Sequence, residues 1–241
     1  MNKVERMQAV FAGQEPDRVP AGFWFHYPQG LSLEERAQAH VDLCRSVGTD
    51  IIKIMDDNFG RFFTQGIRIE KASDWRHIRL PGKDCAHYRH MTGLIQRILD
   101  KSGGEAMVFP TMWSPFKIAS FTYTDGGGTD QQFMAHCKED PASVLEGDRA
   151  LTETLQEWAR DYLELGSSGL YYSGQFSEPQ RFSEEEWARL VKPSDLAVLE
   201  VTKEKVAYRK QEGCEVVEME CAALAACASL RNAVCGCILF T

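Results

Sequence analysis

Between residue 4 and about residue 200, short apolar runs and amphipathic helical stretches take turns along the chain. Strands that alternate with helices pair in parallel through right-handed crossovers, so this pattern restricts the fold to the α/β class. Val4, Met7, Val10 and Phe11 have the spacing of one helix face and stop at Gly13. A turn-rich stretch, 15–20, leads into an aromatic run at 21–27 that predicts a first strand. Ser32 with Glu35 forms a capping box, in which hydroxyl and carboxylate satisfy each other's free backbone N–H groups, and opens a helix to about Gly48. DIIKIM at 50–55 predicts a buried strand, 86–101 a helix and 106–113 another strand. Leu151, Leu155, Trp158, Tyr162 and Leu165 mark one face of a long helix that follows Pro141 and stops at Gly166. Residues 169–176 predict a fourth strand, and Ser183 with Glu186 a second capping box, opening a helix that ends near Pro193.

A doubly wound open sheet and a (β/α)8 barrel both fit such units. No glycine-rich phosphate fingerprint follows any strand, and Gly126-Gly127-Gly128 lacks a following Lys-Ser/Thr, which favours the barrel. A complete barrel takes eight strands and about 250 residues. The expectation is therefore a partial TIM barrel of about four βα units, followed by a short βαβ segment.

The 241 residues suffice for one domain or two small ones, and 44% hydrophobic with 26% charged residues is ordinary for a globular chain. A net charge of −8 argues against a nucleic-acid surface and against attraction to anionic lipid. The N-terminus carries no apolar signal sequence, and eight cysteines in such a chain read as reduced thiols, so a cytoplasmic location is expected. Residues 1–200 hold 22 Lys and Arg against 30 Asp and Glu, whereas residues 201–241 hold five of each and five of the cysteines. That shift suggests a boundary near residue 200. Residues 221–241 are apolar enough to raise a membrane span, but Arg231 and Asn232 at the centre and Gly236 argue instead for a buried helix and strand.

In parallel α/β folds, reactive groups collect at the C-terminal ends of strands. His26 ends the first expected strand, Asp56 and Asp57 follow the second, and Ser173 and Gln175 lie at the end of the fourth. Asp56 or Asp57 at the mouth could accept hydrogen bonds from a cationic or N–H-bearing substrate, or could instead cap a helix. His26 is a candidate acid–base group or ligand. The cysteines show no zinc spacing: there is no C-x2-C, and Cys235-Gly236-Cys237 is too close for most two-ligand geometries. His87, His90 and His136 fall on helical stretches and are expected at the surface.

Residues 3–199 resemble the N-terminal part of the uroporphyrinogen decarboxylase family, a (β/α)8 barrel. The resemblance rests on 15–27 (EPDRVPAGFWFHY), 51–60 (IIKIMDDNFG), 111–123 (TMWSPFKIASFTY) and 169–199 with YYSGQFSEPQRFSEEEWARLVKPSDL. It implies a cofactor-free lyase of porphyrin biosynthesis, a decarboxylase removing acetate carboxyls from a tetrapyrrole. Asp56, with Asp57 next to it, would bind pyrrole N–H groups; Ser173, Gln175 and Arg18 would contact substrate. The family tyrosine falls near Phe121, with Tyr123 two residues on. The arginine-rich loop of true decarboxylases is missing, since no Arg occurs between Arg18 and Arg36. A polycarboxylate in a dry pocket needs paired cations, so a divergent member of doubtful competence is expected. The alternatives are the family's methyltransferases, which act on corrinoid-bound or thiol-bound methyl groups with a His-x-Cys…Cys zinc set, and a non-catalytic chimeric fragment.

Residues 212–241 (EGCEVVEMECAALAACASLRNAVCGCILFT) are similar to the ribose-binding strand and helix of nucleoside phosphorylases, which would make Met219 and Glu220 a ribose-binding remnant. The expected organisation is thus 1–200 barrel-like and 201–241 phosphorylase-like. A small-molecule substrate is expected, with no cofactor, metal, nucleic acid or membrane partner. An open parallel sheet leaves edge groups unpaired, which predicts low stability or a homo-oligomer.

Overall fold

The computed structural model describes residues 1–55, 68–176 and 180–202. Eight helices and three strands are defined there: α1 (Lys3–Phe11), α2 (Leu33–Val47), β1 (Ile51–Ile54), α3 (Ala86–Ser102), β2 (Met107–Trp113), α4 (Pro115–Asp125), α5 (Asp130–Glu139), α6 (Pro141–Glu164), β3 (Tyr171–Ser173), α7 (Glu184–Leu190) and α8 (Lys192–Glu200). A 3-10 turn at Ala72–His77 lies between β1 and α3. The strands pair in parallel in the order β1-β2-β3. The α/β class with a parallel sheet is therefore present, though helices dominate.

The central strand is divided by its own chemistry. Pro110 has no N–H to give to a ladder. Before it, Met107 to Pro110 pair with Ile51 to Ile54; after it, Thr111 to Trp113 pair with Tyr171 to Ser173. Thr111 Oγ1 then donates to Ile54 O at 2.8 Å, a side-chain bond that continues the β1 contact past the proline.

Both faces of this sheet are apolar, as expected for parallel strands covered on two sides. Ile52, Ile54, Val108 and Met112 join the main core with Val41, Leu94, Ile95, Leu151, Leu155 and Trp158 from the helices. Ile51, Met107 and Phe109 face the other way and pack on Met7 and Phe11 of α1. The sequence signals for the helices hold where side chains close local bonds. Ser32 and Ser183 each accept from the N–H three residues on, with Glu35 and Glu186 completing the boxes, and Gly48 ends α2 at φ 75°. On α6, Leu151, Leu155, Trp158 and Tyr162 are buried along one face.

Several expectations need correction. Residues 21–27 form no strand: Ala21 exchanges hydrogen bonds with Asp50, its O accepting from Asp50 N at 2.7 Å and its N–H donating to Asp50 Oδ2 at 2.8 Å. Beyond that pair, Phe23, Trp24 and Phe25 are exposed, and aromatic content without ladder partners does not make a strand. The described sheet consequently has three strands where four units were expected. Helices α4 and α5 fill the stretch between β2 and α6, which the apolar spacing did not reveal. The helix opened by Ser183 does end close to Pro193, at Leu190, and Pro193 itself sits in the first turn of a further helix, α8, where its missing N–H costs nothing. His87 is buried, packed on Trp158 at 5.4 Å between ring centroids, and burial alone lowers its pKa to about 4. The segment 201–241 lies outside the described residues beyond Thr202, so its βαβ reading has no counterpart here. No helix among the described residues is long and apolar enough to cross a membrane.

Candidate functional site

The strand ends are held by specific contacts. At β1, the buried His40 of α2 places Nδ1 2.8 Å from Arg36 O and Nε2 3.4 Å from Met55 N. Since Met55 N–H can only donate, Nε2 accepts and Nδ1 carries the proton that goes to Arg36 O. His40 thereby fixes the backbone immediately ahead of Asp56 and Asp57, which themselves lie outside the described residues. Tyr27 packs on His40 with centroids 4.4 Å apart, and the buried Arg36 donates from Nη2 to Pro28 O at 3.2 Å.

Ser114 joins the ends of β2 and β3. Its N–H donates to Ser173 O at 3.0 Å and its hydroxyl to Gln175 O at 2.9 Å, while Oγ accepts from Lys117 N at 3.2 Å as the N-cap of α4. One serine thus sets the level of Ser173 and Gln175 relative to Trp113, Ser173's register partner. Trp113 is met edge-on by Phe121 at 5.5 Å, and Lys117 Nζ lies 4.1 Å from the Phe121 ring.

Lys53 occupies the middle of β1, in register with Phe109. Its Nζ lies 3.4 Å from the Tyr171 ring centre and 4.6 Å from that of Trp24, and the residue is 8% exposed. Two aromatic faces against an ammonium make a cation–π site. Trp24 in turn is 43% exposed and meets the exposed His26 edge-on at 5.2 Å. Lys53 was not among the expected site residues; a single lysine inside the apolar run DIIKIM is the signal in the sequence that points to it.

The structure brings together some of the expected site residues and separates others. Ser173 and Gln175 share the β2–β3 end, and His26 reaches Trp24 beside Lys53. Arg18 is elsewhere: it donates to both Asp50 oxygens, at 2.7 and 2.9 Å, at the N-terminal end of β1. Tyr123 is buried between Trp75 and His136, with centroids 5.7 and 5.4 Å away, so Phe121 and not Tyr123 stands at the end of β2. Met219 and Glu220 lie outside the described residues.

The thiols are committed elsewhere than to a zinc site. Cys44 Sγ lies 3.3 Å from Thr49 O, Cys85 Sγ accepts from Tyr88 N as the N-cap of α3, and burial pushes the Cys137 thiol up to about 12. A zinc ligand must be a thiolate, which Cys137 opposes. No group of three or more His, Cys, Asp or Glu among the described residues is arranged to hold a metal ion. These residues do not fit a zinc centre.

No family model matches the chain. No curated protein is similar to it in sequence. Among solved structures, a methyltransferase from Methanosarcina mazei superposes with a TM-score of 0.64 at 13% identity, covering 80% of this chain and 65% of that one. The two share a fold. The chain accordingly spans 65% of the length of that methyltransferase, and at this identity the likeness speaks for architecture and not for chemistry.

Proposed function

We propose that residues 1–200 form a partial (β/α)8-type fold of a methyltransferase-like enzyme, with its substrate held at the C-terminal ends of β1, β2 and β3. The observation that carries this reading is the shared fold with a methyltransferase over four-fifths of the chain. The ends of the strands support it, because His40 holds the Met55 backbone at the end of β1 and Ser114 holds Ser173 and Gln175 at the end of β3. In this reading Lys53, Trp24 and His26 form one wall of the site, Ser173 and Gln175 another, and Asp56 or Asp57 accepts hydrogen bonds from the substrate. Methyl transfer needs a methyl donor and an acceptor placed in line, so the described residues act by binding and orienting, as alignment alone lowers a barrier substantially. Any metal that activates an acceptor thiol would come from outside the described residues.

Decarboxylation of a tetrapyrrole has less in its favour. Arg18, expected to contact the substrate, is bound to Asp50 at the far end of β1. The boundary near residue 200 belongs to the proposal as well: α8 ends at Glu200.

The test is equilibrium dialysis of the full chain against methylcobalamin, followed by mixing with a small thiol and reading loss of the alkyl–cobalt absorbance. Binding that weakens about tenfold in Lys53→Met, with or without turnover, supports the reading. Neither binding nor transfer by the full chain overturns it.

A further inference from the structure

Away from the strand ends, α6 and α8 bring a buried aspartate, Asp148, and a half-buried one, Asp195, to the side of β3 that carries Tyr172. Asp148 of α6 is 6% exposed, and its Oδ1 has no hydrogen-bond partner. A buried carboxyl oxygen without a partner is costly and is tolerated far better as a neutral acid than as an ion. Asp195 of α8 accepts from the Tyr172 hydroxyl at 2.6 Å. Gln156 Nε2 of α6 donates to Ala197 O of α8 at 2.7 Å, so the two helices and β3 meet at this point.

The ionisable groups acting on Asp148 are Asp195 from α8 and Arg149 on its own helix; Asp148 acts in turn on Tyr172 from β3 and on Cys137 from α5. From the other elements packed on α6, Arg76 of the 3-10 turn bonds Ser143 at the start of the helix. Burial raises the Asp148 pKa well above the carboxylate range, against the lowering effect of the Ser194 hydroxyl and with the Asp195 charge adding to the rise. Burial raises Asp195 to about 6, against the lowering effect of the Tyr172 hydrogen bond. For an acid raised in the folded state, the stabilisation is present at low pH and lost as pH rises through the folded value.

We propose that the β3–α6–α8 junction is a proton-held latch: with Asp148 protonated α8 stays seated, and ionisation of Asp148 beside an ionised Asp195 drives α8 away from α6 and β3. Tyr172 stands next to Ser173 in β3, so release of α8 also loosens the strand end whose level Ser114 sets. The latch does not depend on methyl transfer.

Amide hydrogen exchange of the full chain between pH 5 and 8.5, corrected for intrinsic rates and referenced to α2, tests it. Exchange in α8 should rise about tenfold or more with pH, the equivalent of one pKa unit. Asp148→Asn should abolish the rise, and Asp195→Asn, which removes the same repulsion from the other side, should flatten it too. Tyr172→Phe should move the rise to higher pH, because the phenol holds the Asp195 pKa down. Exchange in α8 that does not change with pH in the native chain, or a rise that persists in Asp148→Asn, overturns the latch.

Discussion

Asp50 shows how one residue organises an end of the sheet. It is fully buried, and its carboxylate takes charge-assisted bonds from Arg6 Nη1 at 2.5 Å, from Arg18 twice and from Ala21 N–H. Arg6 also binds Asp17, which it and the N-terminal ammonium hold well below the usual carboxylate range. Removing one partner of a buried pair leaves the others uncompensated, at about 3–5 kcal/mol. Asp50→Asn should therefore lower stability by about 3 kcal/mol in urea unfolding at pH 7, and an unchanged midpoint would show that the network contributes nothing. The family resemblance made Arg18 a substrate contact. Its partner lies 32 residues away, and no local pattern announces such a pairing.

At the scale of elements, packing decides what propensity leaves open. Gly147 sits in the middle of α6, where glycine normally costs about 1 kcal/mol against alanine. A Cβ there would collide with the Trp75 carbonyl and lie 2.6 Å from Ile78 Cγ2. The glycine lets α6 lie directly on the 3-10 turn, so Gly147→Ala should destabilise by about 1–3 kcal/mol despite its better helix propensity. A urea midpoint that rises in this variant would refute the close approach. Elements with local chemistry were readable in advance: α2 and α7 from their capping boxes, α6 from its apolar face, β1 and β2 from their β-branched or apolar runs. Residues 21–27 misled because aromatic content resembles a strand, while a strand exists only where a neighbour supplies the ladder.

For the whole molecule, two kinds of buried group pull stability in opposite directions with pH. His87 is neutral in the fold, with its pKa lowered by burial to about 4 from 6.5. Its contribution is complete above the unfolded value and is lost as pH falls from about 6.5 through 4. Asp148 and Asp195, both raised, lose theirs as pH rises. His87→Phe should flatten the acid limb of a stability–pH profile measured by urea midpoint, leaving the alkaline limb to Asp148. An acid limb unchanged in this variant would place the titrating group elsewhere. His87 had seemed a surface residue because helical spacing alone does not say which face of α3 meets Trp158.

By itself the sequence determined the α/β class, the parallel order implied by alternating elements, most helix boundaries and the strand-end location of Ser173 and Gln175. These follow from interactions within a few residues: capping bonds, periodicity and turn chemistry. Only the tertiary structure decided that Arg18 and Tyr123 stand apart from the strand ends, that His40 and Ser114 set those ends, and that Lys53 lies between two aromatic rings. Those outcomes depend on contacts between residues tens of positions apart, where burial and hydrogen-bond geometry choose the partners and local pattern carries no information.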